Sequence, residues 1–503
     1  AGYQQVYAQR SGPSNGLLIS SQAAPTTLSA AGNQYLSTYG RVAVLGGNVA
    51  GAYAKAIGGT YQSINASSYS VTVQGGNAAG AYAALMSTAS SQNITTQDLN
   101  VLGGSAANAS ATLSAATSQS FSIYGTLNVI GGSGGGSSAE LLAATGQSYS
   151  ISGNLVMTGG AGTSTAKDNA RIVNSNGYQN FWIGGDMTLT GGTDYSDVVI
   201  GNSGTGSQVF QADNLMLQTA AGANTNTRTA IEQLGSGDQS FTIAGDFLVQ
   251  NDHSAGSVLV SAAGNQFIDT GAMGVLIGAT NASSSSVAGV TSGGNQKINT
   301  LYTPTGPVLG VIASGNGTAK ITSVGNQDIE IIDISYLEPQ GLIVVGSPTG
   351  NGVSHIAAGG NQEIIAAGIG LFGGSGVGSE AKIGAGGDQA ISAINGGLML
   401  MGGGGANAFA KIDPVNQSIV VVGDTVLTNG SGAGAVAGIG GTTLALVTTG
   451  DLALGAGSQL TASNPSVAGY GGSLTNSGNV ATPIVLTHVG VTTPTPTPTP
   501  NPA

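Results

Sequence analysis

Residues 118–160 read SQSFSIYGTLNVIGGSGGGSSAELLAATGQSYSISGNLVMTGG, and one pattern is written in them twice. Gln119 is followed by Phe121 two positions later, then by the alternating Leu127-Asn128-Val129 and a glycine pair beginning at Gly131. Gln147, Tyr149, Leu155-Val156-Met157 and Gly159 repeat that order with the same offsets.

Outward from this stretch the glutamine recurs, preceded in twelve of fourteen cases by Gly, Asn, Asp or Ser and in two, Gln62 and Gln179, by Tyr. It stands at Gln34, Gln62, Gln92, Gln119, Gln147, Gln179, Gln208, Gln239, Gln266, Gln296, Gln327, Gln362, Gln389 and Gln417. The intervals average about 29.5 residues, a period in the range of solenoids and repeat arrays. A true repeat carries other positions in step. Two positions after each glutamine stand Leu36, Ile64, Ile94, Phe121, Tyr149, Phe181 and Phe210, then Phe241, Ile268, Ile298, Ile329, Ile364, Ile391 and Ile419. All fourteen are large and apolar in a chain that is 40% hydrophobic, which chance does not produce. A glycine pair also follows the glutamine at a nearly constant offset in eight repeats, beginning at Gly46, Gly75, Gly103, Gly131, Gly159, Gly191, Gly373 and Gly402.

Each repeat reads as three short strands. The first carries the glutamine. The second ends on the glycine pair. The third follows a variable polar loop, as at Lys320-Ile321, Lys382-Ile383 and Lys411-Ile412. The first turn is usually Gly-Asn-Gln or Gly-Asp-Gln, whose residues tolerate the left-handed backbone of a sharp corner. The period of two within strands excludes a helical solenoid. A lone repeat cannot bury its apolar side chains, whereas stacked repeats can, pairing in parallel at ~4.8 Å. The reading is all-β: a single right-handed parallel β-helix of about 29 residues per coil and about 14–16 coils, the hand following from the usual crossover rule. Fourteen coils give a rod of roughly 65–70 Å.

Composition agrees. Glycine supplies 87 of 503 residues, which on its own suggests disorder, but the apolar residues keep a rhythm that a disordered chain lacks. No linker divides the chain before its last dozen residues. One architecture is expected: residues 1–30 as an amino-terminal cap or inter-subunit segment, 31–462 as shaft, 463–490 as a carboxy-terminal cap coil and strand, and 491–503 as an extended Thr-Pro tail. Ten Lys and Arg against 22 Asp and Glu give a net charge of −12, which disfavours nucleic acid. There is no Cys, so no disulfide frame. No apolar run approaches the ~18 residues of a membrane span. The start at Ala1, without a basic leader, reads as a processed mature segment.

Two columns are expected along the rod. Strand parity places each glutamine on the same side as the apolar residue two positions on. The fourteen amides are therefore expected inside or in a corner, each partnering the amide of the next coil as in cross-β stacks; the alternative is a cap on an exposed turn. Phe121, Tyr149, Phe181, Phe210 and Phe241 form the second column, where stacking adds ~0.5–1.5 kcal/mol per pair. The outward position after the glutamine carries Lys297, Asp328 and Glu363 in consecutive coils, a solvated face with a surface ion pair between the first two.

No constellation for chemistry emerges, and neither metal nor cofactor is expected. His253, His355 and His488 lie about 100 residues or more apart, without metal-ligand spacing. Gly131-Gly132-Ser133-Gly134-Gly135 matches a nucleophile elbow only formally, inside a Gly/Ser loop with no strand-to-helix context. The serious enzymatic rival is a polysaccharide lyase or hydrolase, which needs clustered carboxylates or carboxylates with Arg and Lys. The best local group, Asp328, Glu330 and Asp333 with Glu363 a coil away, reads as an acidic solvated face.

The tandem Gly-Asn-Gln-x-Ile turns, the Gly-Gly after an apolar strand, and Gly450-Asp451-Leu452-Ala453-Leu454-Gly455-Ala456-Gly457-Ser458-Gln459-Leu460 resemble the repetitive shaft of filamentous-haemagglutinin-type exoproteins of the two-partner secretion route. The resemblance covers roughly residues 31 to 462. The family's amino-terminal secretion domain has no counterpart beyond Pro13-Ser14-Asn15-Gly16. The resemblance implies export through an outer-membrane pore, an extracellular or cell-surface location on a Gram-negative bacterium, and roles in adhesion, biofilm or surface filaments. The expected function is a non-enzymatic rod that polymerises head to tail, its tail lying along the next copy. The alternative is a monomeric adhesin shaft binding a glycan or another cell-surface molecule.

Overall fold

The structure, a computed structural model, describes residues 3–8, 16–163, 165–193, 195–220, 227–252, 256–271, 274–279, 286–301, 309–332 and 341–489. One coil shows how the sequence folds. Its strands are Ser118–Ile123, Leu127–Ile130 and Ala139–Ala143. Those of the next are Gly146–Ile151, Leu155–Thr158 and Ala170–Asn174. Each strand pairs in parallel with its counterpart, so that Phe121 lies beside Tyr149, Val129 beside Met157 and Leu141 beside Ile172.

The same step, from one strand to the third after it, builds three parallel sheets of 18, 17 and 17 strands. Gln4 and Ile484, which open the first and last strands of the first sheet, are seventeen coils apart. That spacing gives about 28 residues per coil, an ordinary solenoid period. The described residues contain no helix. The chain is a parallel β-solenoid. Its inward residues form one core along the axis; in the coil above, Phe121, Ile123, Leu127, Val129 and Leu141 are all buried. The coils continue past the glutamine-marked repeats at both ends. Gln4–Ala8, Gly16–Ser20 and Thr26–Ala30 pair with the strands of the coil after them. Ser466–Tyr470 pairs with Ile484–His488. Part of the segment expected as a cap (1–2 and 9–15) and the Thr-Pro tail lie outside the described residues.

The glycine pairs turn the chain from the second sheet toward the third. In six of the eight pairs the second glycine donates its N–H to a carbonyl across the loop. Gly76 reaches the Ala81 carbonyl at 2.6 Å, Gly104 reaches Ala109 at 2.6 Å, and Gly132 reaches Ser137 at 2.7 Å. A Cβ on Gly104 would overlap the carbonyl oxygen of Gly76 in the preceding coil and meet Ala109 Cβ at 2.7 Å. Coil spacing and loop closure together leave no room for a side chain. Only glycine fits.

Gly104→Ala is therefore expected to cost about 1–3 kcal/mol, seen as faster amide exchange in the coils around residues 75–137, since each coil rests on its neighbours alone. Gly201 is the control, because the nearest atom to an added Cβ there is Val199 Cγ1 at 3.5 Å. Equal exchange in Gly104→Ala and Gly201→Ala would contradict this account of the corner.

Candidate functional site

All fourteen glutamines singled out by the repeat are buried, and they stand in register on the first sheet. In every case Nε2 of the later coil donates to Oε1 of the coil before it. The chain of bonds runs Gln62 to Gln34 (2.7 Å), Gln92 to Gln62 (2.6 Å), Gln119 to Gln92 (2.9 Å) and onward to Gln417 to Gln389 (2.9 Å). It extends one coil further than the sequence pattern marked, because Gln34 donates to Gln4 at 2.9 Å. Gln4 follows Tyr3, as Gln62 follows Tyr61 and Gln179 follows Tyr178, and its signals are Val6 two positions on and the interval of 30 residues to Gln34. Several amides place a second N–H on a backbone carbonyl of the third-sheet strand just before them, as Gln62 does on Ala56 at 3.0 Å. The next coil puts Leu444 in the column, and Gln417 Oε1 is left buried without a hydrogen-bond partner.

The aromatic column stacks face to face. Ring centroids are 4.7 Å apart for Phe121 and Tyr149, 4.5 Å for Tyr149 and Phe181, 4.9 Å for Phe181 and Phe210, and 4.8 Å for Phe210 and Phe241, with planes within 9° of parallel. Phe247, from the second sheet, closes the column edge-on at 5.5 Å. The Tyr149 hydroxyl is buried with no partner, and burial holds its pKa well above the usual tyrosine value.

Most chemistry-bearing side chains lie outside; Asp168 and Glu232 are the buried carboxylates among the described residues. On the first sheet Lys297 and Asp328 pair at 2.9 Å. The hydrogen bond to Asp328 holds the Lys297 ammonium above its usual pKa, and the charges of Asp328, Glu330 and Glu363 add to the rise against a smaller effect of burial. Asp333 and His253 lie outside the described residues. His488 packs edge-on against Tyr470, and His355 pairs with Glu380 at 2.9 Å. The histidines within the described residues are thus apart from each other, and no group of three or more His, Cys, Asp or Glu there could hold a metal ion.

Sequence reading placed Lys320, Lys382 and Lys411 on third strands but did not bring the basic residues of that sheet together. Seven of the ten lysines and arginines stand on or beside its strands: Lys55, Lys167, Arg171, Arg228, Lys320, Lys382 and Lys411. Lys320, His355, Lys382 and Lys411 are direct neighbours in four consecutive coils. Further toward the amino terminus, Arg171, Asp197, Arg228 and Glu232 line a cleft of about 310 Å³. Its charges are paired: Arg228 with the buried Glu232, Lys167 with Asp197 at 2.9 Å, and Arg171 with Glu140 at 3.6 Å. Partial burial lowers the Arg228 pKa, Asp197 opposes that, and the like charge of Arg171 adds to it.

No protein family, curated protein or solved structure matches this chain.

Two substitutions in the glutamine column separate its middle from its end. Gln239→Leu leaves Gln208 Oε1 and Gln266 Nε2 unpaired together, so a loss of about 2–6 kcal/mol is expected from two buried orphans. Gln417→Leu exchanges one orphaned oxygen for another and should barely move the thermal transition; similar losses for the two variants would refute a directional chain of amides. Tyr149→Phe removes a hydroxyl that has been desolvated without a partner, and calorimetry should find its melting temperature unchanged or raised. A fall of several degrees would mean that the hydroxyl is bonded.

Proposed function

We propose that the chain is an extracellular structural protein, a rod that joins further copies of itself end to end into a filament for adhesion, biofilm or cell-surface scaffolding. The observation that carries this reading is the phase of the coils. The three sheets stay in register through every described coil, so an added coil from another copy would meet the same strand edges that mate inside the rod. Charge supports the polarity of such a join. Residues 1–97 hold Arg10, Arg41 and Lys55 and no acid, whereas residues 412–503 hold Asp413, Asp424 and Asp451 and no Lys or Arg. The finer assignment belongs to the same proposal. It takes the rod as a filamentous-haemagglutinin-like exoprotein of the two-partner secretion type, located outside a Gram-negative cell, and it rests on the repeated turns and the Cys-free composition.

A second reading has one observation in its favour. The cleft of Arg171, Asp197, Arg228 and Glu232 combines carboxylates with guanidinium groups on a β-helical face, as a polysaccharide-binding or polysaccharide-cleaving rod requires.

Negative-stain microscopy and sedimentation of the purified chain test the first reading, with filaments one rod wide as the expected result. Removing residues 491–503 should shorten them if the Thr-Pro tail bridges copies. Sedimentation as a monomer at every concentration would end the filament proposal, and release of reducing ends or unsaturated sugars from a polysaccharide, lost on Glu232→Gln, would establish the second reading instead.

A further inference from the structure

The four coils that carry the basic column also carry the acidic side chains of the first sheet. Lys297, Asp328 with Glu330, Glu363 and Asp388 belong to the first-sheet strands of these coils, and Lys320, His355, Lys382 and Lys411 to their third-sheet strands. One cation against four anions makes the first-sheet face −3 there. On the third-sheet face Glu380 and Asp413 stand against three lysines, so the face is +1 with His355 neutral and +2 when it is protonated. Lys320 and Lys411 have no ion-pair partner among the described residues; Lys411 lies over the Phe409 ring at 5.1 Å. Between the two faces, the outward positions of the second sheet in these coils hold no charge, among them Ile312, Val345, Phe372 and Met401. One set of coils thus bears charge of opposite sign on two different faces.

We propose that this is a lateral docking surface for a second copy of the chain, the third-sheet face of one rod lying against the first-sheet face of a parallel neighbour. Charge complementarity is the first argument. Phase is the second: both columns repeat at the strand spacing of ~4.8 Å, and a second copy running in the same direction keeps that phase across all four coils. The contact joins two different patches, so it is heterologous and can propagate from rod to rod. It spans about 20 Å of the axis, small for a stable dimer. In single rods it is therefore weak, and it is multiplied where many rods run alongside one another. The inference rests on the coil architecture and does not require the end-to-end join.

The test measures width separately from length. At ~20 mM salt the full chain is expected to scatter and to image as bundles two or more rods wide, dispersing by ~500 mM as exposed charges are screened. The variant Lys320→Glu, Lys382→Glu, Lys411→Glu makes both faces acidic, and Asp328→Lys, Glu330→Lys, Glu363→Lys makes both basic. Each alone should stay one rod wide at low salt, with circular dichroism confirming the fold. A 1:1 mixture should recover bundling, because the acidic first-sheet face of one variant meets the basic third-sheet face of the other. Filaments of full length and single width would sink lateral docking and leave end-to-end assembly standing; paired short rods would do the reverse. Bundling that survives either triple variant would also overturn the proposal. So would wild-type rods that never associate yet bind polygalacturonate or single-stranded DNA through the three lysines, which would make this face a ligand surface.

Discussion

A single coil of this chain has no core of its own, and every other feature follows from that constraint. Phe121, Leu127, Val129 and Leu141 face one another across a layer a single strand thick; they are dry only because similar layers lie above and below. Hydrophobic burial does not fix the register between adjacent layers, since Ile, Leu and Phe exchange freely along the column. The glutamine amide does. A buried amide needs a donor and an acceptor at fixed distances, and among apolar neighbours the coils on either side supply them: Nε2 of the next coil donates to it, and Oε1 of the preceding coil accepts from it. A slip of one residue would turn all these amides outward and bring polar neighbours in. The fourteen bonds from Gln34–Gln4 to Gln417–Gln389 therefore act as a register mark, and their common direction lets each bond polarise the next. Where the mark stops, at Leu444, the coils beyond also become shorter. A full coil carries the chain from Ser466 only as far as Ile484, whereas the last marked coil runs from Gln389 to Gln417.

Glycine abundance, which in isolation points to disorder, is the second consequence of stacking. Successive corners lie at strand spacing, so a side chain at the pair strikes the carbonyl oxygen of the preceding coil, as at Gly104 over Gly76. Ala109 and Ser137 place their Cβ atoms 2.7 Å from where a Cβ on Gly104 or Gly132 would stand. Small residues at both ends of the loop are thus one packing solution repeated, and the entropy lost at glycine is offset by the backbone hydrogen bonds that the close approach permits.

The interior of the rod could be read from sequence because its spacing is set by strands of nearly constant length: Phe121 follows Gln119, and Phe241 follows Gln239, by the same two positions. The outer face of the third sheet could not. The loop between the glycine pair and the third strand varies, so Lys320, His355, Lys382 and Lys411 fall at four different offsets from Gln296, Gln327, Gln362 and Gln389. Counting from the glutamine scatters a column that the structure aligns. A local signal was present, since Lys-Ile or His-Ile occurs at all four positions with the isoleucine buried. The cleft of Arg171, Arg228 and Glu232 was hidden by the same variable loops. Gln4 escaped for another reason: the residue two positions on is Val6, smaller than the Leu, Ile, Phe or Tyr at that place in the fourteen marked repeats.

Inside and outside obey opposite rules. Identical neighbours stabilise the interior, where amide meets amide and ring meets ring. On the surface, identical neighbours repel if they are charged: two ammonium groups held at the coil spacing cost about 0.9 kcal/mol in water, and more near protein. A chain that keeps only 32 charged residues in 503 largely avoids that cost, and Glu380 beside His355 and Asp413 beside Lys382 soften it within the basic column. Lys320 and Lys411 at the column's ends have no ion-pair partner among the described residues. An acidic column at the same pitch, such as the first-sheet face of another copy, would supply one without disturbing the interior. The repetition that makes the core also determines which surface could fit it.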